Sequence, residues 1–167
     1  VLAVAIAVFV FVADRSARTK DLEIHQFSYS TLLREGLSSH GEGIEVLLNG
    51  EKINNYAIIR VRVSNTGGQP ILAADYEQPL RLEVQNFTKL VSVNRAEARP
   101  ADLPVQVSLD EGIATINPQL LNPGDWFVLE FAGVIKKGVF PIVWPSARIV
   151  GVQGLGHITS VPMDPDE

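Results

Sequence analysis

The side chains able to do chemistry are few and scattered along 167 residues. His25, His40 and His157 are the only histidines, and none has a second His or a Cys at ligand spacing. A zinc site would need three or four such ligands converging on one point, so these three fit surface or loop positions better than a metal centre. There is no cysteine, hence no thiol nucleophile, thiolate ligand or disulfide. Ser38 and His40 could in principle pair as nucleophile and base. Two residues apart in a glycine-flanked loop, they lack the strand–turn–helix elbow that would hold them in geometry. Asp75, Glu77, Asp110 and Glu111 are candidate acids or calcium ligands, but calcium needs six to eight converging oxygens and no aspartate-rich repeat is present. Gly151, Gly154 and Gly156 do not have the spacing of a dinucleotide fingerprint and open no helix, so they read as a flexible connection. Asn86-Phe87-Thr88 is a glycosylation sequon of the kind that arises by chance. The expectation is a non-enzyme with no cofactor and no metal.

Charge narrows the partners. The net charge of −5 comes from 19 acidic and 14 basic residues spread through the chain, with no basic run beyond Arg15, Arg18 and Lys20. Phosphate contacts supply most of the affinity of nucleic-acid binders, so nucleic acid is not expected as a partner.

The first thirteen residues, VLAVAIAVFVFVA, are wholly apolar. A membrane-spanning helix needs about 20 such residues, and thirteen supply only about 20 Å of helix. The run begins at Val1 and not at Met, which is read as the later part of a span formed by Val1, Leu2, Val4, Ile6, Val8, Phe9 and Phe11. A retained signal segment and a buried core element are the competing readings. Arg15, Arg18 and Lys20 follow at once, and the positive-inside rule then leans the rest of the chain to the cytoplasm, with the periplasm also open.

The elements that must position everything else read as strands. Alternation and turn residues mark candidates at Leu22–Tyr29, Ile44–Leu48, Tyr56–Ser64, Leu80–Val84, Leu90–Asn94, Leu103–Leu109, Ile113–Ile116, Trp126–Phe131 and Ala147–Val152. Asn49-Gly50 predicts a hairpin turn, and Gly-containing turns follow Asp110, Pro123 and Lys137. Ser30–Gly36 predicts one or two helical turns. The expected class is all-β: an antiparallel sandwich of about eight strands over 21–153, after an anchor and basic linker over 1–20 and before a tail over 154–167. Trp126, Phe127, Phe131, Phe140 and Trp144 cluster late in the domain and fit the core of a sandwich first, while Trp126 and Trp144 would form an interface if they alternate outward.

The run Val61–Gly67, then Leu120–Asp125 and Phe127–Leu129, resembles immunoglobulin-like sandwich modules of bacterial surface and membrane proteins. Pro70-Ile71, Asp75-Tyr76 and Pro79-Leu80 are similar to stretches of uncharacterised bacterial membrane proteins with one or two helices before such a domain. The resemblance covers about residues 44–152 and lacks the paired cysteines of antibody domains. It implies a fold and no activity. The functional expectation is an accessory subunit of a membrane complex, contacting other subunits and the lipid bilayer. The alternative is a membrane-anchored ligand sensor.

Overall fold

A computed structural model describes residues 19–33, 46–53, 55–136 and 138–159. The protein is all-β, with two sheets packed face to face. The larger is built from β1 (Leu22–Leu33), β4 (Tyr56–Asn65), β6 (Phe87–Arg99), β9 (Trp126–Ile135) and β11 (Leu155–Thr159), in the order β11-β1-β4-β9-β6. The smaller contains β5 (Tyr76–Gln85), β7 (Val107–Asp110), β8 (Ile113–Ile116) and β10 (Ile142–Ile149), in the order β10-β5-β8-β7. A separate hairpin joins β2 (Val46–Leu48) to β3 (Glu51–Ile53).

Strand β4 shows why these residues form a sheet. Its sequence YAIIRVRVSN puts Ile59, Val61 and Val63 in the core and leaves Arg60 and Arg62 on the outer face. β9 lies between β4 and β6, and its run WFVLEFAGVI is buried at seven of ten residues and half-buried at the other three, as a central strand requires. Phe127, Leu129 and Phe131 point inward to meet Leu80, Leu82 and Val143 of the other sheet. Phe131 is fully buried, so truncation to Ala would cost about 3–5 kcal/mol.

The turns follow their chemistry. Asn49 and Gly50 have φ of 53° and 86°, the double positive φ of a two-residue type I′ hairpin. Glu111 and Gly112, at 45° and 83°, connect β7 to β8 in the same way.

Several expectations need correction. Ser30–Leu33 do not turn into a helix; they extend β1 against Tyr56–Ile58 of β4, so cross-strand pairing overrides the local helix signal. Residues 34–36 of that stretch lie outside the described residues. β7 starts at Val107, because Leu103-Pro104-Val105 forms a tight turn with Leu103 in the core. The late strand runs over Ile142–Ile149 and not Ala147–Val152; Pro145 disguises it, and is tolerated because β10 is a sheet edge. Leu155–Thr159, assigned on sequence to the tail, forms β11 and pairs in parallel with β1, so the sandwich is not purely antiparallel. The described residues hold eleven strands against about eight expected. Their one helical element is the 3-10 turn Ala73–Asp75, and no helix among them is long and apolar enough to cross a membrane. The apolar run from Val1 to Ala13, with Arg15 and Arg18, lies outside the described residues.

Candidate functional site

Two constellations stand out, one at the start of β1 and one on the outer face of the larger sheet. The first begins with Asn65, the last residue of β4, whose side chain is buried. Its Nδ2 donates to Gln69 O at 2.9 Å and to Leu121 O at 2.8 Å, and its Oδ1 accepts from Gly67 N at 3.0 Å. This shapes residues 65–69 into a loop whose backbone grips the chain ahead of β1. Gly68 N and Gln69 N both donate to Thr19 O, and Thr66 N donates to Asp21 O. Gly67 must be glycine here, since a Cβ would lie 2.4 Å from Thr19 O and 2.6 Å from Asp21 N.

Lys20 completes this clamp. Its Nζ lies 2.6 Å from Asp75 Oδ2, which also accepts from Leu72 N at 2.6 Å. The hydrogen bond from Lys20, helped by the one from Leu72 N, holds the Asp75 carboxyl below its ordinary pKa. Beside it, burial and then the Asp75 charge push the Tyr76 phenol up to about 12. The Lys20 stem lies over Gly151, whose φ of 85° turns the chain out of β10. The segment directly after the basic linker is thus built into the sandwich by backbone bonds and one ion pair.

The second constellation is a cation between two rings. The Arg62 guanidinium carbon sits 4.7 Å from the Trp126 ring centroid and 5.5 Å from that of Phe27. Arg60 pairs with Glu130 one row further along, at 3.0 Å. Trp126 is therefore a half-buried outer-face residue stacked within its own sheet. Trp144, 52% exposed on β10, has its ring 6.0 Å from that of His157.

His25 and His157 do not converge. His157 is registered beside Ile24 and His25 beside Ile158, so His25 and His157 project from opposite faces of the sheet. His40 lies outside the described residues. Among the described residues no group of three His, Cys, Asp or Glu could hold a metal. Glu77 pairs with Arg148 at 2.5 Å, and the Asn86 amide donates to Phe140 O at 2.7 Å. An open groove of about 430 Å³ runs beside β10, lined by Glu77, Arg148, Val150, Val152 and Leu155 among others.

No family model matches the chain, and no curated protein does so. Two solved chains match. One is the GH20 exo-β-N-acetylglucosaminidase from Vibrio harveyi in complex with N-acetylglucosamine, at 10% identity and a TM-score of 0.36. The match takes in 87% of this chain and 19% of that one. A likeness at that level carries no inference about activity, and the fold class rests on the strands described above.

Sequence reasoning missed Asn65, Gln26 and the Arg62 stack. Gln26 had left a signal, being polar in phase with core-facing Leu22 and Ile24. Asn65 read only as a turn residue, and nothing local marks its reach to Leu121.

Proposed function

We propose that this chain is a non-catalytic accessory subunit of a larger membrane assembly, held by its apolar amino-terminal run and docking through an immunoglobulin-like sandwich. The observation that carries this reading is the clamp on residues 19–21. Backbone bonds to Thr19 O and Asp21 O, with the Lys20–Asp75 pair, tie the chain to the domain within six residues of the end of the apolar run. A short joint is what a subunit needs if its sandwich must sit close beside its neighbours. The immunoglobulin-like assignment is meant in the wide sense of two sheets over one core, with a strand order of its own. Exposed Trp144, and Trp126 on the Arg62 stack, supply aromatic surface suited to a protein partner. Arg15, Arg18 and Lys20 favour a cytoplasmic domain. Gentle detergent extraction followed by native sizing tests the assignment. The chain should migrate with a heavier assembly, and migration as a free monomer would count against it.

The groove beside β10 favours a second reading, a ligand sensor. In that case Arg148→Ala should abolish a ligand-induced rise in melting temperature found by screening small anions. A screen giving no such rise speaks for the subunit.

A further inference from the structure

The end of the sandwich at which residues 19–21 are clamped carries three exposed aliphatic side chains: Leu72 at 47%, Leu120 at 46% and Val150 at 52%. Their placement follows from backbone pairing. Ile71 and Leu121 exchange two backbone hydrogen bonds of 2.9 Å, and both side chains are buried. One step outward on each strand, Leu72 and Leu120 therefore lie opposite each other and face away from the core. Val150 N donates to Asp75 O, which puts Val150 beside the same turn. Asp75 in turn holds Lys20 and Leu72 N.

We infer that this end of the sandwich rests on the bilayer surface, with Leu72, Leu120 and Val150 entering the headgroup region. The inference rests on the reading of the Val1–Ala13 run as a membrane segment. Five residues separate Ala13 from Thr19, and even fully extended they reach only about 20 Å. The clamp takes up the chain from Thr19 onward, so no further slack exists. The end bearing the three aliphatic residues is consequently the end that the anchor holds against the lipid. Three half-exposed side chains are too small a surface to hold a domain on a membrane alone. Tethered this close, they need only contribute to a contact that is already local. Lipid is thus a better occupant than a protein partner, which would have to reach into the gap between domain and membrane.

The absence of native cysteine makes the test direct. Full-length Leu72→Cys, Leu120→Cys and Val150→Cys variants, with Leu47→Cys as a control on the β2–β3 hairpin, are labelled with an environment-sensitive dye. Each is reconstituted in phosphatidylcholine vesicles with or without nitroxide-headgroup lipid. The three labels should shift to the blue and lose emission to the nitroxide, while the Leu47 label does neither. If the chain floats with the vesicles but the three labels respond no more than the control, the docking inference fails and the anchor stands. If the chain does not float, both fail. A blue shift without nitroxide quenching, growing with the protein-to-lipid ratio, would assign the surface to a second copy and overturn the lipid assignment.

Discussion

Asn65 ties three backbone groups together with one buried side chain. Asn65→Ala removes the donor to Gln69 O, one of the two donors to Leu121 O and the acceptor for Gly67 N, and should cost about 1–3 kcal/mol in urea unfolding. Asn65→Asp keeps the acceptor for Gly67 but points a carboxylate at two carbonyl oxygens, so it should be no milder. Gly67→Ala pushes a methyl into the backbone of Thr19 and Asp21 and should cost about 1–3 kcal/mol by the same measurement. Asp75 adds a pH signature. Its pKa is depressed in the folded protein, so its contribution is present in full above the ordinary value of 3.8 and is lost as the pH falls through the folded value. The difference in melting temperature between the native chain and Asp75→Asn should therefore be widest near neutrality and close in acid. Tyr76 has the opposite sign. Its raised pKa confers stability that is complete below 10.0 and lost as the pH climbs through about 12. A phenolate absorbance step near 12, absent in Tyr76→Phe, would show it.

Among the elements, β1 joins the two sheets. Gln26, 1% exposed, donates from Nε2 to Pro141 O at 2.8 Å and accepts from Val143 N at 3.2 Å, tying the larger sheet to the free edge of β10. Gln26→Leu keeps the volume but leaves both backbone groups unpaired. It should cost about 1–3 kcal/mol and speed amide exchange at Val143. Elements of this kind divide by how far their signal was local. β4 and β8 were legible because one face alternates apolar residues over the whole strand. The Asn49-Gly50 hairpin was legible because only a few residues tolerate two positive φ values in a row. β11 was not: Leu155-Gly156-His157-Ile158-Thr159 has a glycine inside it and gains its order from β1, more than 130 residues earlier. Much of β6 was hidden too, since an edge strand with three register shifts and Lys89, Arg95, Glu97 and Arg99 along it does not alternate cleanly. The clamp was illegible for the same reason as β11, because Lys20 and Asp75 are 55 positions apart.

For the molecule as a whole, the clamp ties the chain ahead of β1 to the sandwich from Thr19 onward. If the chain is a membrane-assembly subunit as proposed, releasing the clamp with Gly67→Ala and Asp75→Asn together should leave it in the membrane fraction yet weaken its co-migration with that assembly on native gels. Equal co-migration would show that the sandwich docks without help from the joint. The parallel pairing of β1 with β11 has one more consequence. β1 begins at Leu22 beside Leu155, and β11 ends at Thr159 beside Gln26, so the start of one strand and the end of the other lie at opposite ends of their shared register. Tension applied through those two points drags the neighbouring strands past one another lengthwise. The bonds registering Leu22–Gln26 on Leu155–Thr159 would then be strained together and not peeled one at a time. Mechanically, the sandwich is wired as a lap joint.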